Sequence, residues 1–235
     1  MSDKDHERRM FASIDYKGNW NIGAYGLATD KFAIFGEGFR PQILRQAKEV
    51  LNVPLYIFNV MDEPIVGILL AANSHGVLVP FQLSDEEVSK LRSMLDVPVE
   101  KLSLKTYENA LSNLILVNDK AALIHDDILR KNKHIAKIVE DVLDVELVGY
   151  KFSFVTIGSV VGANNRGALA HPLMQDDELN FIKETLKVRV GKGTINLGSP
   201  YIGSGMIVNS YGFLVGIKTT GLEIHRAYEI LLRED

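Results

Sequence analysis

Ala72-Asn-Ser-His-Gly-Val-Leu-Val79 decides the fold, because the chain returns to it. Val117-Asn-Asp-Lys-Ala-Ala-Leu-Ile124, Ala163-Asn-Asn-Arg-Gly-Ala-Leu-Ala170 and Val208-Asn-Ser-Tyr-Gly-Phe-Leu-Val215 align with it, and Ala28-Thr-Asp-Lys-Phe-Ala-Ile-Phe35 is a weaker fifth copy. The anchors Thr29, Asn73, Asn118, Asn164 and Asn209 are spaced 44, 45, 46 and 45 residues apart. A fixed period of this size marks a repeat architecture. About 22 residues after the anchors, a second landmark repeats as Leu51-Asn-Val, Leu95-Asp-Val, Leu143-Asp-Val and Leu186-Lys-Val. Five such units account for nearly all of the 235 residues.

Each unit reads alike. An apolar stretch such as Ile65-Val-Gly-Ile-Leu-Leu-Ala-Ala72 leads into the turn, and a second one, such as Val77-Leu-Val-Pro80, leaves it. Asn and Gly tolerate positive φ, so the pair predicts a β-hairpin. A helical stripe follows. In unit two it opens on Ser84-Asp-Glu-Glu87, a capping box, with Val88, Leu91 and Leu95 on one face. In unit three the stripe is Ile135, Ile138, Val139, Val142 and Leu143, and in unit five Thr220-Gly-Leu-Glu223 caps Ile224, Ala227, Tyr228 and Leu231. A third strand ends each unit, as in Val99-Glu-Lys-Leu or Leu147-Val-Gly-Tyr. The unit is ββαβ.

Unit five stops at its helix, and Met10-Phe-Ala-Ser-Ile-Asp-Tyr16 resembles its missing third strand. Asn21-Ile-Gly then opens the first strand of unit one. The expectation is a single α+β domain over 10–235: a closed five-bladed toroid with units at 18–62, 63–108, 109–154, 155–198 and 199–235 plus 10–17. Closure by radial repetition protects sheet edges. Residues 1–9 are expected to be a disordered tail.

Composition excludes much chemistry. There are no cysteines, which removes disulfides, thiolate catalysis and cysteine metal sites. No apolar run is long enough for a membrane span, and the charged start lacks a signal-peptide core. A formal charge of −4 makes bare nucleic acid a poor partner, although the basic run Arg130-Lys-Asn-Lys-His134 could touch a polyanion if it is not simply a solvated face. The six histidines include no pair at i, i+4. His125 and His171 fall at one repeat position, so packing outranks metal ligation. Gly203-Ser-Gly205 lacks a nucleophile elbow, and its short apolar flank leads into a strand, not a helix. The glycine pairs at Gly36, Gly191 and Gly203 complete no phosphate-binding loop. The acids of Gln175-Asp-Asp-Glu178 suit a helix N-terminus. The repeat asparagines read as turn formers. Asn113 stands outside that register, beside the start of the first strand of unit three, and is either a hydrogen-bonded strand end or an exposed contact.

Asn73-Ser-His-Gly-Val-Leu-Val-Pro80, Leu116-Val-Asn-Asp-Lys-Ala-Ala-Leu-Ile-His125, Asn165-Arg-Gly-Ala-Leu-Ala-His-Pro172 and Gly205-Met-Ile-Val-Asn-Ser-Tyr-Gly-Phe-Leu-Val-Gly216 also carry a resemblance. Residues 11–232 resemble the translation initiation factor 6 family, its archaeal branch most closely. The resemblance implies the pentein fold and a role without catalysis, cofactor or metal. It implies a cytoplasmic monomer that binds the large ribosomal subunit on its intersubunit face, near ribosomal protein uL14 and the sarcin–ricin loop of rRNA. There it prevents premature joining of the small subunit, with a further role in large-subunit biogenesis. Asn113 matches a family asparagine near that interface. Ile68 matches another interface-proximal position, where an arginine often stands. The chain ends at its last helix without the polar tail of eukaryotic members. Two rival readings are a toroidal module with another partner and a pentein amidino-group enzyme. The second needs a cysteine thiolate, and the chain has none.

Overall fold

The computed structural model describes residues 9–104 and 110–233. Its β-structure consists of three-stranded sheets, five in number among the described residues. In unit one the strands Gly26–Ala28 and Ala33–Phe35 pair antiparallel across the Thr29 turn. The helix Pro41–Leu51 then carries the chain back, so that Leu55–Ile57 pairs parallel to Ala33–Phe35. The same order recurs with Ala71–Ala72, Val77–Pro80, Asp85–Leu95 and Val99–Leu102. It recurs again from Ile115–Val117 to Leu147–Tyr150 and from Val161–Ala163 to Arg189–Lys192. Unit five supplies Met206–Val208, Phe213–Gly216 and the helix Gly221–Leu231. Its third strand comes from the other end of the chain: Phe11–Ile14 runs parallel to Phe213–Gly216, in register from Phe11–Phe213 to Ile14–Gly216. This is the pairing that the incomplete fifth unit predicts.

The helices begin and end where local chemistry dictates. Ser84 and Thr220 accept from the N–H of Glu87 and Glu223, whose carboxylates return the bond to the cap N–H. Gln175 N–H is bound by Glu178 in the same way. Asn52, Asp96, Asp144 and Lys187 end four helices in the left-handed conformation, at φ of 52–53°.

The core lies between units rather than within them. Phe32, Ile34 and Val60 of unit one pack with Val77, Val79, Leu91 and Val99 of unit two. Leu78 and Leu102 pack with Ile124, Ile135 and Val139 of unit three. Leu123 and Phe152 join Ala168, Ile182 and Leu186, and Leu169 joins Phe213, Val215 and Ala227. Ala12, Ile14 and Leu214 close against Ala33, Ala47, Val50 and Leu51 of unit one. Alternate residues of each second strand therefore face different boundaries. Val77 and Val79 look one way and Leu78 the other. A strand covered on both faces reads as an unbroken apolar run, as Val77-Leu-Val-Pro80 does. Each fully buried Val, Leu or Ile adds roughly 1.5–3 kcal/mol, so a unit gains this only when its neighbours are present.

The structure corrects the first-strand readings. Val66–Leu69 is one turn of helix and only Ala71–Ala72 is strand. Ile22–Ala24 is likewise a 3-10 turn, with the strand starting at Gly26, and Ile202–Gly205 is helical before the strand at Met206. A four-residue turn is too short to show a 3.6-residue period, so apolar β-branched sequence masks it. Unit three also carries an unforeseen helix, Asp126–Lys131, ahead of Ile135–Leu143. Arg130 and Lys131 end that first helix, where cations suit the dipole. The disordered-tail expectation falls, apart from Arg9, outside the described residues.

Candidate interaction face

The five short turns pack against one another in unit order, and the last packs against the first. Their second positions are Gly23, Gly67, Ser112, Gly158 and Gly203. A Cβ on Gly67 would lie 2.0 Å from Gly23 O, one on Gly203 would lie 1.9 Å from Gly158 O, and one on Gly23 would lie 2.1 Å from Gly203 O. A methyl group at that distance displaces the backbone, so these glycines allow main chain to touch main chain. Ser112 is the exception, and its own carbonyl lies 1.8 Å from where a Gly158 Cβ would stand.

The third positions of the same turns are Ala24, Ile68, Asn113, Ser159 and Ser204. Ile68 and Asn113, singled out separately in the sequence, are thus repeat equivalents on adjacent turns. Both are half-buried. Asn113 lies in the helical turn Leu111–Leu114, not at a strand start, and its N–H donates to Ala110 O at 3.1 Å. Its side chain makes no hydrogen bond to another described residue. Ser159 differs, because its hydroxyl donates to Thr156 O at 2.8 Å.

The turns surround one end of a cavity of about 100 Å³ lined by all five units, including Gly26, Ala71, Ile115, Val161 and Ile207. A second, smaller cavity of about 20 Å³, which shares Ala28, Ala72, Val117, Ala163 and Val208 with the first, is lined by Thr29 and the repeat asparagines. Asn73 Nδ2 donates to Asn118 O and Leu143 O, while its Oδ1 accepts from the N–H groups of His75 and Gly76. Asn118 does the same toward Asn164 O and Leu186 O, and Asn164 toward Asn209 O and Leu231 O. Asn209 reaches Thr29 O and Leu51 O. The turn role holds, but each amide also binds the next unit's turn and the last carbonyls of its helix. Local sequence could not reveal these partners, which stand 45–180 residues away.

Helix N-termini accordingly point to the Ile68–Asn113 end. Their capping glutamates fix the loops there. Glu87 accepts from Met61 N–H, Glu178 from both Ser153 N–H and its hydroxyl, and Glu223 from Gly198 N–H at 2.8 Å. Burial alone would raise Glu223, but donors from Thr220, Gly198 and Thr194 hold it below the usual glutamate value. The loop it anchors holds Leu197 at φ 63° and 68% exposed, and Tyr201, four residues on, is 55% exposed. The first helical turns add Asp85, Glu86, Asp176 and Asp177, of which Asp85 is paired with Lys101 and Asp176 with Lys192. His125 and His171 each accept an N–H two residues on, from Asp127 and Leu173. They are packed separately, and no cluster of three metal-binding side chains exists among the described residues. Ser204 sits in the helical turn Ile202–Gly205. No helix of the described residues is long and apolar enough to cross a membrane.

A model described as the eIF-6 family matches residues 11–230, spanning all five units. The chain belongs to the eIF-6 family. Relatives of this family member include translation initiation factor 6 of Thermococcus onnurineus, 38% identical over 222 residues, which are 93% of this chain and 96% of that protein. The Pyrococcus abyssi protein of the same name is 37% identical with the same coverage. Eukaryotic translation initiation factor 6 of Encephalitozoon cuniculi is 32% identical over 92% of this chain and 88% of its own length. A crystal structure of the N-terminal domain of ArgZ, covalently bound to a reaction intermediate, aligns with TM-score 0.40 at 13% identity, covering 74% of this chain and 67% of that one. A likeness at that level bears no conclusion about this family member.

Proposed function

We propose that this chain is a single-domain, closed five-bladed pentein that binds the large ribosomal subunit and keeps the small subunit from joining it. Membership of the eIF-6 family over residues 11–230 carries the reading. Closure is supported by the pairing of Phe11–Ile14 with Phe213–Gly216 and by the bonds from Asn209 to unit one. The proposed contact end is the one bearing Ile68 and Asn113, whose equivalence on neighbouring turns makes them one patch. Ribosomal protein uL14 and the sarcin–ricin loop region are the proposed partners, in the cytoplasm, with the factor monomeric and without catalytic function. The formal charge of −4 favours a basic protein surface as the main contact. A part in large-subunit maturation belongs to the same proposal.

Asn113→Ser tests it. The Asn113 amide binds no described residue, so the change strands no internal partner, and stability should move by less than about 1 kcal/mol. If the amide is buried against the ribosome, large-subunit co-sedimentation should weaken by about 5- to 150-fold. Unchanged binding at an unchanged melting temperature would remove Asn113 from the interface. Failure of the wild-type chain to sediment with large subunits would overturn the function itself.

A further inference from the structure

Four of the five boundaries between units contain a buried asparagine amide that donates twice into the next unit. The boundary between units one and two has Thr29 in that place. A hydroxyl carries a single proton, and Thr29 Oγ1 donates it within its own turn, to Phe32 O at 3.1 Å. The oxygen also accepts from the N–H groups of Lys31 and Phe32. Thr29 therefore has no donor left for Asn73 O or Leu95 O, the equivalents of the carbonyls bound at the other boundaries. Lys31 crosses here instead, from Nζ to Asp96 O at 3.3 Å. That bond is exposed, long and made by a side chain with high rotamer entropy. At the opposite end of the same boundary lies a cavity of about 250 Å³, between Glu37, Phe58 and Asp62 of unit one and Glu87 and Lys90 of unit two. At that end Glu87 accepts from Met61 N–H across the boundary and Lys90 lies over the Phe58 ring, so the Thr29 end is the one that lacks a buried bridge.

We propose that the boundary between units one and two is where the molecule opens first, separating at its Thr29 end while the other four boundaries stay bridged. Local opening follows local interaction density, and the amide count differs here alone. Opening along this line shifts unit one relative to unit two, which bears Ile68, so the line divides the molecule beside the proposed contact patch. The inference stands on the hydrogen bonds and does not depend on what binds there.

Native-state hydrogen exchange of the full chain tests it. The N–H groups of Asp96, Asp144 and Lys187 are equivalent reporters, each bonded to the last turn of its helix, at Arg92 O, Glu140 O and Lys183 O. They report the boundaries one–two, two–three and three–four. Corrected for intrinsic rate, Asp96 should exchange about tenfold faster than the other two, a factor equivalent to about 1.4 kcal/mol. Thr29→Asn should slow Asp96 to their level. Asn118→Thr should speed Lys187 by a similar factor and leave Asp144 unchanged. Equal protection of the three reporters in the wild-type chain overturns the proposal. So does a folded Thr29→Asn chain with Asp96 unaltered. If Thr29→Asn does not fold, the wild-type comparison and Asn118→Thr decide, and a Lys187 rate unmoved by Asn118→Thr counts against it. Ribosome binding enters none of these measurements, so their failure is separable from that of the proposed function.

Discussion

Replacing Asn209 with alanine should be among the most damaging single changes in the protein. The residue is 1% exposed, and its amide makes four hydrogen bonds. Two go out to Thr29 O at 3.0 Å and Leu51 O at 2.8 Å, and two come in from Tyr211 and Gly212 N–H at 3.0 and 3.1 Å. Asn209→Ala leaves all four backbone groups without this partner. At about 1 kcal/mol net for each bond the loss is about 4 kcal/mol, and any group that stays dry adds to it. For a chain of this size that corresponds to a fall in Tm of roughly 8–16 °C. Asn209→Asp distinguishes the two halves of the amide. It retains an acceptor for Tyr211 and Gly212 but sets a carboxylate oxygen against two carbonyl oxygens. That repulsion raises the folded-state pKa of the new acid above its unfolded value. Its stability relative to wild type is then best below about pH 4 and declines as pH rises through the folded pKa. Urea unfolding followed by circular dichroism, with both variants measured at acid and neutral pH, reads each effect. A loss below about 1 kcal/mol in Asn209→Ala would show that the bridge to unit one contributes little, and the account of the boundaries would fall with it.

Removing residues 1–16 should expose the Phe213–Gly216 strand edge, take away the bonds Phe213 N–H to Met10 O and Ile217 N–H to Ile14 O, and uncover Leu214. The expected product is aggregated or unfolded on gel filtration, and a monomer of wild-type melting temperature would contradict the pairing. His171 is pushed below the usual histidine value by burial, and its Nδ1 accepts from Leu173 N–H at 3.0 Å. The unfolded chain therefore takes up a proton first, and His171 should cost stability as pH falls from about 6.5 toward the folded pKa. His171→Asn, which keeps an acceptor that does not titrate, should flatten that part of a stability–pH curve. Binding to large subunits should weaken with salt less steeply than for a protein making about 6–10 phosphate contacts; a log–log slope near −6 or steeper would point to rRNA phosphates.

The five units, their ββαβ order and the completion of unit five by residues near the start were legible in the sequence. Each of these rests on short-range signals: the Asn-x-x-Gly turns, the capping boxes at Ser84 and Thr220, and the stripe from Ile135 to Leu143. Such signals act within a few residues, so they survive without tertiary context. The short turns at Val66–Leu69 and Leu111–Leu114 were hidden because four residues cannot display a helical period. With them was hidden the fact that Ile68 and Asn113 occupy one position on adjacent turns. Tertiary structure alone decided that the asparagines bridge units, because an amide's outward partners depend on which carbonyls a distant segment brings within about 3 Å. It also decided that the core lies at the boundaries: Leu78 and Val79 are equally apolar in sequence, and only packing sends one toward unit three and the other toward unit one.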